Sequence, residues 1–336
     1  MATIGIVGAS GYGGAELIRL AAAHPELELG WATGDSQAGQ PIASLYPNLA
    51  ALVGDRRFEA YEPAMADGLD AVVFALPHGV SGAMAPEART RAKVVLDLAA
   101  DFRLKDPGLY PQWYGADHPC PEQLADWTYG LPEAGHRDAL RSSSAVAVAG
   151  CYPTVAVLAL KPFVDAGAIE PTGIVVDAAT GVSGGGRDKF SFCAVDEDFR
   201  AYGLLNHRHT PEMEQALGPG TQLLFTPHLA PMNRGILATC YARPSSSGVD
   251  PMAILHDAYD AEPFVAVTDD PPSTKATMGA NTCHVTARYD ERTGWVVVIA
   301  AIDNLVKGTS GQAIQCLNLA LGFEETLGLP TVGLLP

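Results

Sequence analysis

The chain has 336 residues, of which 48% are hydrophobic, and a formal charge of −17 at neutral pH. That length suits two domains with separate cores, and the acidity argues against nucleic acid and anionic membranes as partners. No apolar run approaches the roughly 20 residues that span a bilayer. The N-terminal sequence MATIGIVGAS lacks the basic start and the cleavage site of a signal peptide. We therefore expect a cytoplasmic protein.

The six cysteines are scattered along the chain without a CxxC pair. This spacing argues against a zinc site and against a disulfide framework, and it suits a reducing compartment. We predict no metal site. The cysteines are Cys120, Cys151, Cys193, Cys240, Cys283 and Cys316.

The first half of the chain alternates short apolar strands with helical stretches. This alternation is typical of a parallel, doubly wound α/β sheet, the Rossmann arrangement. We assign residues 1–150 to a dinucleotide-binding domain of this kind. Its predicted strands cover residues 3–7, 27–32, 71–76, 94–98 and 145–149, and its first helix covers residues 15–23.

A glycine-rich turn lies directly between the first predicted strand and the first helix. Gly8, Gly11 and Gly14 give the spacing G-x-x-G-x-x-G. Glycines at this spacing allow a tight turn, a close approach of a pyrophosphate to the backbone, and close packing of the helix on the strand. The phosphates then meet a helix N-terminus. The turn therefore predicts a dinucleotide site.

The end of the second predicted strand, Thr33-Gly34-Asp35-Ser36-Gln37, should select between NAD and NADP. Asp35 can accept a hydrogen bond from a ribose 2′-hydroxyl and would repel a 2′-phosphate. Ser36 and backbone N–H groups can instead hold that phosphate, although no Arg stands in this stretch. The alternative is that Asp35 is a solvent-exposed turn residue.

Cys151 lies between the predicted strand 145–149 and an apolar stretch with helical character at 155–164. Pro153 suits the first helical position, where a missing N–H costs nothing. The thiol then lies beside backbone donors at a helix N-terminus, and that field favours the thiolate. The alternative is a buried structural cysteine. The turn at Gly150 and the helix start favour a reactive nucleophile.

Beyond Cys151 the predicted strands are longer and rich in β-branched residues, which suggests a mixed or antiparallel sheet in an α+β domain. We assign residues 151–307 to this domain, with roles in catalysis, substrate binding and oligomerisation. The C-terminal segment 308–336, with a helix at 312–321, is expected to pack back on the first domain. The predicted strands cover residues 173–178, 223–225, 236–242, 281–288 and 295–302.

Several polar segments interrupt the apolar elements. The loop 180–189 contains three consecutive glycines with Ser183 and Arg187, a donor-rich set suited to a phosphate or a carboxylate. The alternative is a mobile surface loop. Residues 101–103 and 301–308 also break apolar strands, at the edge where the carboxyl ends of a sheet meet a ligand.

The run His207-Arg208-His209 precedes a predicted helix, with Thr210 as its N-cap and with Pro211 and Glu212 in its first turn. A reactive cysteine downstream of a nicotinamide site suggests chemistry through a thioester, which needs an acid–base group near the sulfur. A histidine of this run fits that role. Two histidines at this spacing can also bind a metal, but no third ligand cluster accompanies them.

Over essentially its whole length the chain resembles the N-acetyl-gamma-glutamyl-phosphate reductases, NADPH-dependent enzymes of arginine biosynthesis among the semialdehyde dehydrogenases. The resemblance implies a Rossmann domain followed by an α+β catalytic domain. The motifs are GASGYGG at 8–14, ALPHGVS at 75–81, DLAADFRL at 97–104, YGLPE at 129–133, AGCYPT at 149–154, GVSGGGR at 181–187, HRHTPEMEQ at 207–215 and AIDNLVKGTSGQA at 301–313.

The resemblance implies reduction of N-acetyl-5-glutamyl phosphate to N-acetylglutamate 5-semialdehyde and phosphate through a thioester on Cys151. It also implies that His209, with His207 as the alternative, is the acid–base group. The substrate-binding residues that we predict are Arg103, Ser183, Arg187, Arg208 and Glu212. The cofactor-binding residues that we predict are Gly8, Ser10, Gly11, Tyr12, Gly13, Gly14, Asp35, Ser36, Pro77, His78 and Asn304.

The resemblance leaves alternatives open. Aspartate-semialdehyde dehydrogenases share the glycine loop and the thiol, and reductases of carrier-bound aminoadipyl phosphate share HRHT and AIDNLVKGT. The latter resemble GCNAT around the cysteine, where this chain has Tyr152-Pro153. Gly34-Asp35 departs from the Ser-Arg of many relatives, so NADPH is the favoured cofactor and NAD is the alternative. A non-catalytic nucleotide-sensing protein is the alternative of another class. A homodimer or tetramer is expected.

Overall fold

The computed structural model describes residues 1–187 and 189–335. Asp188, in the predicted donor-rich loop, and Pro336, at the end of the predicted C-terminal segment, lie outside the described residues. The chain forms two compact units. The first unit comprises Met1–Gly150 and Thr309–Leu329, and the second unit comprises Cys151–Gly308 and the residues from Pro330 onward.

The first unit contains one sheet of six parallel strands. These strands are β1 (Ala2–Val7), β2 (Leu27–Ala32), β3 (Ala71–Phe74), β4 (Val94–Asp97), β5 (Thr128–Gly130) and β6 (Ala145–Val148). Their order is β2-β1-β3-β4-β6-β5, so the chain winds outward in both directions from β1. The doubly wound parallel sheet that the sequence predicts is confirmed.

The central strands of this sheet are covered on both faces. Every residue of β3, β4 and β6 is buried, as is typical of parallel strands with helices on both sides. This is why they consist of apolar residues without alternation, apart from the buried Asp97 at the end of β4. The helices of this part of the chain are α1 (Tyr12–Ala23), α2 (Ile42–Leu45), α3 (Ala50–Val53), α4 (Ser81–Ala88), α5 (Leu109–Tyr114) and α6 (Arg137–Arg141).

The second unit contains a mixed sheet of seven strands. These are β7 (Ile174–Thr180), β8 (Arg200–Ala201), β9 (Leu223–Leu229), β10 (Ile236–Ala242), β11 (Val265–Val267), β12 (Cys283–Asp290) and β13 (Trp295–Ile302). Their order is β11-β12-β13-β10-β7-β9-β8. β10 runs antiparallel to both of its neighbours, whereas β7 and β9 are parallel. The mixed sheet that the sequence predicts is confirmed.

The register of the three central strands brings three chain ends to one edge of this sheet. Ile236, the first residue of β10, pairs with Thr180 at the end of β7 and with Ile302 at the end of β13. The segments that follow β7, precede β10 and follow β13 therefore all adjoin the same edge of the sheet.

Helices cover the apolar side of this sheet. They are α7 (Cys151–Asp165), α8 (Thr210–Leu217) and α9 (Pro251–Tyr259). Along β7 and β10 buried residues alternate with half-buried ones, which distinguishes the covered face from a more open one. β13 shows the same alternation over its first six residues.

The helix α7 begins earlier than the sequence suggests. Its first residue is Cys151, so Pro153 is the third helical residue and not the first. The N–H groups of the first turn have no partner within a helix, so a proline is tolerated there as well. Eleven of its residues are buried, which makes α7 the main core helix of the second unit.

The last helix of the chain, α10 (Gly311–Leu321), belongs to the first unit and contacts α1, β4 and β6. Its bounds are within one residue of the predicted helix 312–321, and it covers only part of the predicted C-terminal helical segment 308–336. It ends because Gly322 adopts a left-handed conformation with φ of 76°. The tail returns to the second unit, where the Leu334 N–H donates to the Met278 carbonyl.

Residues 1–187 and 189–335 contain neither a membrane-spanning helix nor a cluster of metal-binding side chains. Within those ranges no helix has the length and apolar character needed to cross a membrane. The same part of the chain contains no group of three or more His, Cys, Asp and Glu side chains arranged to hold a metal ion.

Candidate active site

Cys151 is held at the start of α7 by a glycine behind it. A Cβ atom on Gly308 would lie 2.8 Å from the Cβ and 3.2 Å from the Cα of Cys151, so no side chain fits at that position. The Gly308 N–H donates to the carbonyl of Asp303, within the turn that leads into the π-helical residues Val306–Ser310. The position of the thiol therefore depends on the turn that follows β13.

The six cysteines differ in access to solvent, and none forms a disulfide. Cys151 is partly exposed and Cys193 is exposed, whereas the other four are buried. Burial raises the pKa of the Cys240 thiol and that of the Cys120 thiol. A thiol reagent in solution can therefore reach Cys151 and Cys193 more readily than the four buried cysteines. Of these two residues, only Cys151 is at the start of a helix.

The two predicted acid–base histidines lie side by side in the second unit. Their ring centroids are 4.9 Å apart, and the backbone N–H of His209 donates to Nδ1 of His207 at 3.2 Å. Because Nδ1 of His207 accepts this bond, the ring proton of neutral His207 is on Nε2. Arg208, between them in the chain, is exposed.

Three aromatic rings surround His207. The rings of Tyr152, Tyr202 and Phe225 each meet the imidazole edge-on, with centroids 5.3–5.6 Å away. Burial, together with the charges of Arg208 and Lys189, lowers the pKa of His207 to about 4. His207 is therefore neutral at physiological pH.

Hydroxyl groups hold two of these rings in place. The Tyr202 hydroxyl donates to the Tyr152 hydroxyl at 3.2 Å, and the Tyr152 hydroxyl donates to the carbonyl of His228 at 3.3 Å. Burial raises the pKa of both phenols, that of Tyr202 to about 12. The surroundings of His207 thus contain neutral rings with fixed orientation.

His209 occupies a different environment, at the N-terminus of α8. It takes the N-cap position that the sequence suggests for Thr210, and Thr210 is instead the first helical residue. The Thr210 N–H donates to the His207 carbonyl and the Met213 N–H donates to the His209 carbonyl, whereas Pro211 has no N–H to donate. Glu212, in the first turn, is fully buried. His209 itself is 8% exposed, and its ring lies 6.0 Å from that of Tyr152.

The glycine-rich loop that follows β7, residues 181–187, lies against the loop that precedes β10. The N–H groups of Gly181, Val182 and Ser183 donate to the carbonyls of Gly235, Met232 and Asn233. A Cβ on Gly181 would lie 2.7 Å from the backbone nitrogen of Arg234, so the pairing requires glycine there. The loop is therefore built onto the sheet edge and holds its predicted substrate residues Ser183 and Arg187 beside it.

Asp303 and Asn304 join the ends of the central strands. Asp303 is fully buried, and its carboxylate accepts from the N–H groups of Leu305, Val306 and Gly279 and lies 3.2 Å from Nη1 of Arg234. The Asn304 side-chain amide accepts a hydrogen bond from the Gly235 N–H and donates one to the Ser183 hydroxyl. The sequence predicts a cofactor role for Asn304 but contains no sign of these partners, which lie far away along the chain.

The glycine loop of the first unit has the geometry that its spacing suggests. Gly8 has φ of 80°, and a Cβ there would lie 2.6 Å from the Ala75 carbonyl oxygen. A Cβ on Gly14 would lie 2.4 Å from the Ala9 Cα, so this glycine allows α1 to pack closely on the loop. Gly11 is the N-cap of α1. Of the remaining predicted members, Ser10 lies in the same turn, and Tyr12 and Gly13 are the first two residues of α1.

Asp35 and Ser36 are exposed on a short turn directly after β2. The structure also brings a basic residue to this turn that the local sequence lacks. Arg57 donates from Nη1 to the Gly39 carbonyl at 2.7 Å, while the Gly34 N–H donates to the Glu59 carbonyl. No sequence pattern indicates Arg57, because it belongs to an irregular segment, 57–59, that is about 20 residues away in the chain and lies beside this part of it only in the folded protein.

His78 and Arg103 lie at the carboxyl edge of the first sheet. His78 Nδ1 is 3.5 Å from a carboxylate oxygen of Asp101, which also accepts from the N–H of Gly79 and from the Ser81 hydroxyl. Pro77 begins this same turn after β3. Arg103 is buried and donates to the carbonyls of Leu98 and Val148, where β4 and β6 end.

The predicted site residues thus form two groups. The first unit holds Arg103 and all the predicted cofactor residues except Asn304, and the second unit holds Cys151, both histidines and the other predicted substrate residues.

Comparison with known proteins matches both units to one family. The family described as "Semialdehyde dehydrogenase, NAD binding domain" matches residues 3–143, and the one described as "Semialdehyde dehydrogenase, dimerisation domain" matches residues 151–304. N-acetyl-gamma-glutamyl-phosphate reductases from Desulforudis audaxviator and Pseudomonas entomophila are 46% and 43% identical to this chain, over 100% of both chains. The chain belongs to the N-acetyl-gamma-glutamyl-phosphate reductase family. The Synechocystis relative is 44% identical over 100% of this chain and 99% of its own.

Solved structures of more distant proteins share the fold. Aspartate semialdehyde dehydrogenase II from Vibrio cholerae has a TM-score of 0.72 at 16% identity, and the alignment covers 95% of this chain and 98% of that one. The Candida albicans aspartate semialdehyde dehydrogenase, described as a structure with NADP, has a TM-score of 0.70 at 16% identity over the same shares of the chains. Membership in the family therefore rests on the close relatives, and the fold is common to the wider group.

Proposed function

We propose that this chain catalyses the NADPH-dependent reduction of N-acetyl-5-glutamyl phosphate to N-acetylglutamate 5-semialdehyde and phosphate in arginine biosynthesis. The observation that carries the proposal is the setting of Cys151, a partly exposed thiol at the start of α7 with the Gly308 backbone against it. A thiolate there can attack an acyl phosphate, since phosphate is a good leaving group. The names of the 42–46% identical relatives support this substrate.

Cys151 and His209, both in the second unit, each have a defined task in this reaction. Cys151 attacks the acyl carbon, the bond to phosphate oxygen breaks, and His209 passes the thiol proton to the departing phosphate. Bound NADPH supplies a hydride to the thioester carbon. The resulting alkoxide collapses to the aldehyde, the carbon–sulfur bond breaks, and His209 delivers to the sulfur the one proton that the reaction consumes. Backbone donors at the start of α7 can stabilise the oxyanion.

His209 suits proton transfer better than His207 does. The low pKa of His207 and the bond accepted by its Nδ1 keep that ring neutral and leave only Nε2–H to donate. A neutral donor can hold a substrate oxygen but is a poor carrier of protons near pH 7. His209 is the N-cap of α8, and we assign the buried Glu212, in the first turn of that helix, to orienting its ring.

The anionic groups of the substrate require cations, which are few in a chain of charge −17. In the second unit we assign this role to Arg187 and Arg208, with Ser183 as a further donor, and the substrate role of Arg103, in the first unit, stays a prediction. Guanidinium groups bind carboxylates and phosphates through paired hydrogen bonds. The assignment predicts a small anionic substrate, and we propose that the enzyme acts in the cytoplasm, as the sequence suggests.

The discriminating experiment compares three substrates. NADPH oxidation is followed with N-acetylglutamyl phosphate, aspartyl phosphate and carrier-linked aminoadipyl phosphate. Turnover confined to the first supports the proposal, and preference for either of the others would replace it. Absence of turnover with all three, despite tight NADPH binding, would favour a nucleotide-sensing protein.

The first prediction concerns the thiol. Cys151→Ser should fold normally but lose at least about 1,000-fold in kcat, because a hydroxyl is far less nucleophilic than a thiolate at neutral pH. Iodoacetamide followed by peptide mass spectrometry should label Cys151 faster than the exposed Cys193. Cys193→Ser is the matched control and should keep full activity. Near-normal turnover in Cys151→Ser would exclude the thioester route.

The second prediction concerns the histidines. His209→Asn should lower kcat about 100- to 10,000-fold and remove an ionisation from the pH profile of kcat/KM between pH 5 and 9. His207→Asn should leave that profile unchanged in shape and mainly raise KM. The sign follows from the lowered pKa of His207, since the ring has already lost its proton above about pH 5. A profile that flattens only in His207→Asn would reverse the roles.

The third prediction concerns the cofactor, where we propose NADPH. Arg57 beside the turn 35–37 can bind a 2′-phosphate, which Asp35 would repel. Arg57→Ala should lower kcat/KM for NADPH about 10-fold or more and leave that for NADH within about 2-fold, because bonds from charged donors contribute most. Arg56→Ala is the matched control. Strong preference for NADH in the wild type, reversed by Asp35→Ala, would show that the Asp35 carboxylate binds the ribose 2′-hydroxyl and selects against NADPH.

The fourth prediction concerns assembly, where we propose a homodimer through the second unit. The more open face of its sheet carries half-buried apolar side chains on central strands, among them Val175, Tyr241 and Val297, which are cross-strand neighbours. An apolar face of this kind is typical of an interface. Val297→Asp should halve the mass measured by light scattering, whereas Leu52→Asp, on the exposed surface of the first unit, should not. A monomeric wild type would contradict the proposal.

A further inference from the structure

We propose that Asn304 is a positioning residue for the substrate loop, defined as residues 181–187. Its side-chain amide fixes Ser183 so that the Ser183 hydroxyl donates to an anionic oxygen of the acyl phosphate. This assignment rests on the proposed function. It replaces the cofactor contact that the resemblance implies for Asn304.

The partners of Asn304 determine the orientation of its amide. Oδ1 lies 2.7 Å from the backbone nitrogen of Gly235, and Nδ2 lies 3.0 Å from the hydroxyl oxygen of Ser183. A backbone N–H can only donate, so the amide oxygen must face Gly235 and the amide nitrogen must face Ser183. Asn304 is 1% exposed. Both ends of its amide therefore act inside the second unit.

The amide also determines what the serine can do. A hydroxyl has one hydrogen to donate, and a bond accepted from Nδ2 occupies a lone pair of the oxygen while leaving that hydrogen available. Accepting one bond strengthens the bond that the same hydroxyl donates. Ser183 is only half-buried, so its hydrogen can reach a bound ligand. The result is an oriented donor in a loop that also carries Arg187.

The short side chain of Asn304 can contact two loops at once because of the sheet register. Thr180, Ile236 and Ile302 are aligned across three strands, so Asn304 extends from the end of β13 over the start of β10 to the loop after β7. Four residues later, Gly308 lies against Cys151. A single turn thereby holds both the thiol and the serine donor.

The test uses three substitutions and two readouts. Ser183→Ala removes the donor. Asn304→Ala removes both amide bonds, and Asn304→Asp keeps the acceptor for Gly235 while exchanging the donor to Ser183 for an acceptor. Each should raise KM for N-acetylglutamyl phosphate about 10-fold or more, the usual effect of losing a hydrogen bond to a charged group. The Kd for NADPH, from fluorescence titration, should stay within about 2-fold of the wild type.

The double variant Ser183→Ala/Asn304→Ala separates coupled from independent roles. If Asn304 acts through Ser183, KM should rise about as much as in either single variant. A product of the two single effects, roughly 100-fold, would overturn the assignment. A Kd for NADPH raised 10-fold or more in Asn304→Ala, with KM for the acyl phosphate unchanged, would instead place the amide on the dinucleotide.

Failure of the proposed function would look different. A wild type that does not turn over N-acetylglutamyl phosphate contradicts that function, whereas a normal wild type with additive variants contradicts only the role of Asn304. The NADPH titration needs no turnover, so it decides in either case whether Asn304 contacts the cofactor. Far-UV circular dichroism of each variant verifies that it is folded.

Discussion

The alignment of three strand ends is the constraint on which the second unit depends. Because Ile236 pairs with both Thr180 and Ile302, three chain segments leave the sheet at one level. Buried polar groups need partners, and at this edge Asp303 and Asn304 supply them to backbone groups of neighbouring loops. A slip of one residue in this register would separate all of these pairs and withdraw the support behind the nucleophile.

Environment, and not residue type, distinguishes the two histidines. They are two residues apart, yet one is surrounded by neutral rings and the other is the N-cap of a helix. The aromatic surroundings stabilise an uncharged imidazole at His207. A short loop can in this way present a fixed neutral donor and a proton carrier to the same substrate.

Sequence patterns predicted the longer strands of the fold. The strands Ile236–Ala242 and Trp295–Ile302 have the predicted bounds, because an uncharged run of seven or eight residues with β-branched side chains is a clear strand signal. Strands of three residues, such as Val265–Val267, leave none. The reactive setting of Cys151 was visible in local sequence, since strand, turn and helix are contiguous there. The roles of Gly308, Arg57 and Asn304 were not, because their partners are distant along the chain and meet only through tertiary pairing.

The first unit is assembled from two stretches of chain, and this has a consequence for its synthesis. Its sheet is complete by Val148, but α10, which contacts β4 and β6, is encoded after the whole of the intervening unit. At a ribosomal rate of roughly 5–20 residues per second, α10 is synthesised about 10–30 s after the last strand of that sheet, and the side of the sheet that it covers stays exposed until then. During this interval its apolar surface is open to the nascent chain and to other proteins. We expect the newborn chain to need chaperone protection at this stage more than at any later one.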